Sequence, residues 1–457
     1  MSCSPPEASS SFAPPRRCSL QSALRQFFER ATFDAEPTTS GASDGRLAIE
    51  PSANPSALII RWFGTRYTLR VPGRWPFTAH EVRLAQAIGA VLAARYRAIQ
   101  DPRIIADRVD LFSGAIEDRY VGAFLDPRSY AIDARATRAD RIASIIELLR
   151  VAALSSYENR PISTGVLLLG TSADPVRPGV PPTSVVVSYD ESLARIKSFF
   201  RLAEGVHTLF LASSEGRLLN IIDIRRWASR VRDNSLTPRA FQPHARATSQ
   251  HGHVCAVLSP SREIKIFAEG TEMFTFRGAA WHLVDAQAKY RLWADAVGDE
   301  ALAARIFQTA RDLSDAREGA LFVVVRDPEA AVPQLVAPTD RLDLPIRELD
   351  ERDTAAEGPS RRHLLHLLER RTITDLDPSV FMGLAALDGA TVTDRSGRLL
   401  AAGAILRHPR SQELDEGGAV EGARTTAAMA ASQFGPVLKV SEDGVITFFD
   451  RERVWDI

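Results

Sequence analysis

The chain has 457 residues, 45% hydrophobic and 25% charged, with a formal net charge of −1. That length accommodates two or three domains with ordinary globular composition. The near-neutral balance excludes a global basic field that would draw in nucleic acid or an anionic membrane.

Residues 1–45 are rich in Ser, Pro, Ala and Thr, and most of them are expected to be a disordered tail. Within them Leu20 to Ala31 can form a helix with Leu20, Leu24, Phe27 and Phe28 on one face. Met1 to Pro15 lacks the basic n-region and apolar core of a signal peptide. No run approaches the roughly 18 apolar residues of a membrane span. Cys3, Cys18 and Cys255 are too far apart for a zinc site or a disulfide framework, which fits a reducing cytoplasm.

Residues 46–125 read as a small hairpin-plus-helix region. Ala57 to Phe63 and Arg66 to Val71 predict two strands joined by a turn at Gly64-Thr65. Thr78-Ala79-His80-Glu81 has the form of a capping box. It opens a helix with Val82, Ala85, Ile88, Leu92 and Tyr96 along one side. The arrangement resembles the closing half of a GAF-type small-ligand sensory domain; a docking or dimerising element is the other reading.

The rest of the chain carries a repeat. A helix at Ala143–Leu154 leads to Ser163-Thr164-Gly165 and an apolar strand, as a helix at Ala301–Leu313 leads to Glu318-Gly319 and Ala320–Val325. Ser214-Glu215-Gly216-Arg217-Leu218-Leu219 matches Arg395-Ser396-Gly397-Arg398-Leu399-Leu400. Ala245-Arg246-Ala247-Thr248 matches Ala423-Arg424-Thr425-Thr426. Ser259 precedes Ile264 by the five residues (264 − 259) that separate Ser441 from Ile446 (446 − 441). Two unrelated α/β domains with similar punctuation are the alternative. Apolar strands alternating with amphipathic helices predict an α/β sheet covered by helices.

The second copy contains Leu387-Asp388-Gly389-Ala390, then Gly422-Ala423-Arg424-Thr425-Thr426, then Val440-Ser441-Glu442-Asp443-Gly444. Their order and spacing resemble the catalytic domain of diadenylate cyclases, which condense two ATP into cyclic di-AMP. In that family an Asp-Gly-Ala turn is followed by Gly-Thr-Arg-His-Arg and then by a Ser-Glu turn before a strand. The resemblance covers Tyr290 to Asp450, and Ala136 to Gly270 in outline. The first copy is similar to divergent members proposed as bacterial nucleotide sensors. The resemblance implies an α/β fold of two tandem modules, each a twisted mixed central sheet flanked by helices. Residues 126–285 would be the degenerate module and 286–457 the nucleotide-binding one, beside a small N-terminal α+β region.

Joining two ATP molecules requires each 3′-hydroxyl to attack the other's α-phosphate. A site must position these groups, hold a divalent metal and neutralise developing charge. By resemblance Asp388 is the catalytic and metal-binding carboxylate, with Gly389 and Ala390 in a turn that nucleotide can approach. Asp-Gly alone is a common turn dipeptide. Gly422, Ala423, Arg424, Thr425 and Thr426 stand for the phosphate-gripping segment, and Ser441 with Glu442 for the last turn. Arg424 lies 36 residues after Asp388 (424 − 388) and matches the first Arg of Arg-His-Arg. Thr425 and Thr426 then replace His and the second Arg. A Thr hydroxyl can bond phosphate but carries no charge, and charge-assisted hydrogen bonds are about twice as strong as neutral ones. Losing two such groups removes several powers of ten in rate, at about 1.4 kcal/mol per tenfold, while binding can survive.

Other candidates carry less. Arg407-His408-Pro409-Arg410 contains the missing residue types but ends a strand pattern, where a loop role is expected. A swing of His408 into the site is the alternative. His207 lies ten residues before Arg217 (217 − 207), as Asp388 does before Arg398 (398 − 388), so it replaces the Asp in the first copy. With His244, His251 and His253 it forms a cluster without carboxylate or Cys at ligand spacing, and no metal is expected there. Only Lys197, Lys265, Lys289 and Lys439 are lysines, leaving 52 of 56 basic residues as Arg (56 − 4). Arg suits phosphate, but a bias this general, beside abundant Ala, reads as coding bias. No nucleophile elbow, P-loop or Gly-x-Gly-x-x-Gly fingerprint appears.

The leading expectation is a cytoplasmic adenine-nucleotide-binding protein of sensor type, impaired in catalysis. ATP or an adenine dinucleotide would be its ligand, and no nucleic acid or membrane its partner. Homo-oligomers through the diadenylate-cyclase-like modules are an option that the resemblance implies. An active diadenylate cyclase using Mg2+ or Mn2+ is the second reading, and a ligand-free interaction scaffold the third.

Overall fold

The computed structural model describes residues 14–28, 31–37, 47–50, 52–71, 76–101, 103, 108–126, 138–170, 187–190, 193, 196–228, 236–342, 366–368, 370–407 and 422–457. It is an α/β fold with several sheets. The chain divides into two compact units. One comprises 1–222, 256–266 and 274–283; the other comprises 223–255, 267–273 and 284–457.

In the first unit α1 (Pro14–Phe27) buries Leu20 and Leu24, and Phe28 follows them into the core. The sheet β1-β4-β3-β2 comprises β1 (Thr32–Pro37), β2 (Ala48–Glu50), β3 (Ala57–Trp62) and β4 (Thr65–Arg70). Residues 32–37 are thus a strand where composition predicts disorder. β1 pairs antiparallel with β4, and Asp34 forms an ion pair with Arg70 across the pairing. The β3–β4 turn is Phe63-Gly64, one residue earlier than predicted. Both residues have positive φ, 45° and 69°, the two-residue loop whose twist suits a hairpin. α2 (Ala79–Gln100) opens on the predicted capping box. Glu81 N donates to Thr78 Oγ1 at 3.2 Å, and Thr78 N donates to Glu81 Oε2 at 2.9 Å. Ala85, Ile88 and Leu92 are buried; Val82 and Tyr96 are half-buried.

α3 (Ile116–Leu125) and α4 (Arg138–Ala153) lead to a seven-stranded sheet, most of whose residues belong to this unit. Its strands are β5 (Thr164–Leu168), β6 (Thr208–Ala212), β7 (Leu218–Asp223), β8 (Val254–Leu258), β9 (Ile264–Ala268), β10 (Thr271–Arg277) and β11 (Ala280–Leu283). The order is β11-β10-β9-β8-β5-β6-β7, with β5 and β6 parallel.

The second unit includes the short α5 (Gln242–Ala247) and then α6 (Ala286–Val297) and α7 (Glu300–Ala316). Asp299 caps α7, accepting from Leu302 N at 2.7 Å. The six-stranded sheet contains β12 (Ala320–Val325), β13 (Ala390–Asp394), β14 (Leu399–Ala404), β15 (Val437–Val440), β16 (Ile446–Asp450) and β17 (Glu452–Asp456). Its order is β14-β13-β12-β15-β16-β17, with β12 and β13 parallel and β15 antiparallel to β12. Period-two alternation sends Phe322, Val324, Leu438 and Val440 into one core with Trp293, Ile306 and Phe307 of α6 and α7. Leu321, Val323, Val325 and Val437 enter the other core. There they meet α8 (Pro328–Leu335) and α10 (Ala423–Ala431), while α9 (Pro378–Ala385) joins the first face through Phe381.

The two sheets share an order over six strands, β7-β6-β5-β8-β9-β10 and β14-β13-β12-β15-β16-β17. Turn hydrogen bonds recur as well. Ser259 N to Glu263 O and Ser441 N to Val445 O are both 2.9 Å, as are Arg262 N to Ser259 O and Gly444 N to Ser441 O. The isolated bridge Ser188–Arg217 has its counterpart in Thr372–Arg398. Among the described residues no helix is long and apolar enough to cross a membrane.

Candidate functional site

The registers place two of the predicted segments, 388–390 and 441–442, at one end of the six-stranded sheet. Phe322 pairs with Thr391 in the parallel pair, and Ala320 pairs with Val440 in the antiparallel one. The amino ends of β12 and β13 and the carboxyl end of β15 therefore coincide. Gly319 enters β12 there, Asp388-Gly389 enters β13, and Ser441-Glu442 leaves β15.

α10 begins over the same end. Gly422 is its N-cap, and Thr425 N and Thr426 N donate to Gly422 O at 2.7 and 3.3 Å. Gly422 and Ala423 are exposed, and Thr426 is half-buried. Arg424 joins the segments. Its Nη1 donates to Glu442 Oε1 at 2.9 Å, and its Nη2 lies 3.6 Å from Asp388 Oδ1. The side chains are 36% exposed for Arg424, 74% for Glu442 and 95% for Asp388. Pairs this open to water are weak, so a ligand can exchange for either carboxylate.

The remaining predicted residues shape the frame. Gly389 has φ +111°, and a Cβ there would lie 2.4 Å from the Gly403 carbonyl carbon and 2.5 Å from its oxygen. This close approach of β13 to β14 accounts for the glycine without a ligand. Ala390 is buried in the α10-side core. Ser441 Oγ donates to Val445 O at 2.9 Å and so serves its own turn. The end of α7 holds that turn: Ser314 Oγ donates to Gly444 O at 2.5 Å, and Arg317 Nη1 donates to Asp443 O.

Two further residues were invisible to motif matching. The Arg424 guanidinium lies against Gly319, where a Cβ would come within 2.1 Å of Nη1. Lys439 of β15 donates from Nζ to Thr425 Oγ1 at 2.9 Å. The sequence signals were a glycine before each repeat's first strand and a rare lysine in a strand whose neighbours are apolar.

Among the described residues no group of three His, Cys, Asp or Glu could hold a metal ion. Asp388 fits a Mg2+ or Mn2+ only jointly with ligand phosphates, which is how Mg2+ is commonly bound. In the first sheet His207 is 57% exposed, with Nδ1 3.0 Å from Glu204 Oε1. Burial pushes the Glu204 carboxyl up, but backbone N–H groups of His207, Thr208 and Val206 outweigh it and hold the group below the usual range. His244 is fully buried, its ring 5.1 Å from that of Phe241 and 5.5 Å from that of Phe267. His251 is exposed, and its ring lies 5.6 Å from that of His253, which is buried. His408 and Arg410 lie outside the described residues.

The sequence matches no protein-family model and no curated protein. Among solved structures, a hypothetical membrane spanning protein from Bacillus cereus aligns at 18% identity over 37% of this chain and 76% of that one. The TM-score of that alignment is 0.23, too low to carry an argument about fold or function.

Proposed function

We propose that this chain is an adenine-nucleotide-binding protein of sensor type, with its site in a diadenylate-cyclase-like module. The observation that carries this reading is the convergence of 388–390, 422–426 and 441–442 on Arg424, which joins Asp388 and Glu442. A guanidinium held by exposed carboxylates can exchange one of them for phosphate, which it matches bidentately. Asp388, once released, would hold Mg2+ or Mn2+ jointly with the phosphate oxygens, an ion that supplies charge neutralisation there. Catalysis is impaired in this reading, because Thr425 and Thr426 offer neutral hydroxyls where the related enzymes have His and Arg. A cytoplasmic location and homo-oligomers through this module belong to the same proposal.

The test is calorimetric titration of the full chain with ATP, ADP and cyclic di-AMP in the presence of Mg2+. Saturable binding of at least one is expected, weakened about tenfold or more by Arg424→Ala, a loss of about 1.4 kcal/mol. Absence of binding at millimolar nucleotide would sink the reading. The same protein incubated with ATP and Mg2+ or Mn2+ is expected to yield no cyclic di-AMP. Product that disappears in Asp388→Asn would replace the sensor reading with an enzymatic one.

A further inference from the structure

β7 is the last strand of the first sheet, and its sequence leaves it unprotected. Arg217-Leu218-Leu219-Asn220-Ile221-Ile222-Asp223 has aliphatic residues at its centre and no lysine or proline. Ile221 is 41% exposed, Asn220 is exposed, and Leu218, Leu219 and Ile222 are half-buried. Successive side chains face opposite sides of a sheet, so apolar surface reaches water on both faces of this strand. An exposed apolar edge recruits a further strand unless it is blunted or covered.

The repeat shows such a cover in place. Arg217 corresponds to Arg398 (398 − 217 = 181), so Asn220 corresponds to Ala401 (401 − 220 = 181). β14, the matching edge strand, is buried throughout. Two segments run along it. Leu399 N donates to Arg371 O at 3.1 Å beside the Thr372–Arg398 bridge, and Leu342 N donates to Leu400 O at 2.8 Å beside the antiparallel Arg341–Ala401 bridge. β7 has the equivalent of the first segment: Leu218 N donates to Val187 O at 2.8 Å beside the Ser188–Arg217 bridge. Among the described residues no bridge reaches Asn220, where the second segment would lie.

The open stretch, 219–223, is complementary to itself. Leu218 N faces Val187, so the next backbone groups to face outward are those of Asn220 and Ile222. Antiparallel pairing of Asn220 with Ile222 of the partner subunit repeats itself about a two-fold axis at Ile221, the most exposed aliphatic residue of the strand. β7 ends at Asp223, so a second copy in this register stops opposite Leu219, short of 187–188. Arg217 then lies one diagonal step from Asp223 of the partner subunit, on the same face and within reach of a long side chain. Both charges have local neighbours: Glu215 attracts Arg217, and Arg226 Nε lies 3.6 Å from Asp223 Oδ2. These residues are exposed, and pairs open to water are weak. We infer that the chain forms a two-fold homodimer through β7, which joins the first sheets of two copies edge to edge. The inference does not rest on the nucleotide reading.

Sedimentation of the full chain without nucleotide, from about 1 to about 300 μM, is the test. A short strand pair is a small interface, so wild type should pass from monomer to dimer with a Kd of about 1–100 μM. Ile221→Lys puts like charges at the two-fold axis and should raise that Kd at least about tenfold. Arg217→Asp and Asp223→Arg should each weaken the dimer alone, by opposing like charges. Mixed together they should recover it, because the mixed pair has both attractive contacts. Thermal unfolding of each variant reports the fold. Ile221→Lys leaves untouched the cap that Asp223 gives to Arg225 N and Arg226 N. A wild type that stays monomeric overturns the inference and assigns the edge to a segment of the same chain. A dimer unchanged in Ile221→Lys and Arg217→Asp overturns it too, by placing the contact on another surface, such as the module with the nucleotide site.

Discussion

At the residue scale two glycines beside Arg424 separate frame from function. Gly389 meets the backbone of Gly403 and has φ +111°, so neither space nor conformation admits a side chain. Gly389→Ala should therefore cost about 2–4 kcal/mol of stability, read as a lower urea midpoint. Gly319 differs: the atoms nearest to a Cβ there are those of the Arg424 guanidinium, with Nη1 at 2.1 Å. That group can swing away. Gly319→Ala should change stability by no more than about 0.5 kcal/mol yet weaken nucleotide binding about tenfold, since Arg424 keeps its charge but loses its place. A Gly319→Ala variant that unfolds like Gly389→Ala, or binds nucleotide like wild type, would contradict this assignment. Asp388, Arg424 and Glu442 could be read from motif order. Gly319 could not be assigned this role, because its partner lies 105 positions away (424 − 319) and the contact exists only after packing.

At the element scale α3, α4 and β11 are tied by one carboxylate. Asp118 accepts from Trp281 Nε1 at 2.7 Å and from Arg150 Nη2 at 2.6 Å, with its side chain 3% exposed. Burial raises its pKa above the ordinary 3.8, and the bonds from Trp281 and Arg150 only partly offset it. A raised acid pKa means that the folded state binds more protons between 3.8 and the folded value, so this group's contribution to stability falls as pH rises through that window. Asp118→Asn keeps an oxygen acceptor and cannot titrate. Denaturant unfolding at about pH 4 and about pH 7 should therefore shift the stability difference in the variant's favour at the higher pH. A difference independent of pH would refute the assignment. Local elements were legible where the signal is local, as in the Thr78–Glu81 capping box. The hairpin turn was misplaced because Phe63 accepts a positive φ that its side chain does not advertise. β1 was missed because Asp34 and Glu36 look like tail residues, and its stability comes from pairing with β4, 33 positions on (65 − 32).

At the scale of the whole molecule, two sheets share an order over six strands and only one combines Asp388, Arg424 and Lys439. The repeat was legible because apolar runs and glycine turns recur in sequence, whereas the strand order emerges only from the pairing. The difference between the sheets was legible only in part: His207 in place of Asp388 could be counted out, but Val257 in place of Lys439 gains meaning from the reach of Lys439 to Thr425. In the first sheet Glu204 holds both the backbone and the ring of His207, so that turn presents a carboxylate already engaged by backbone N–H groups. An anionic ligand meets the Glu204 charge there. Nucleotide should therefore bind with a stoichiometry of one per chain. Amide exchange measured with and without ATP should show new protection at 388–390, 422–426 and 441–445 and none at 207–209 or 259–263. Two equivalents bound, or protection at both sets of turns, would mean that the first sheet keeps a site by means other than Asp388 and Lys439, the side chains that distinguish the second. Protection confined to the second set would tie binding to those side chains rather than to the shared strand order, because the turn hydrogen bonds of the two sheets are the same.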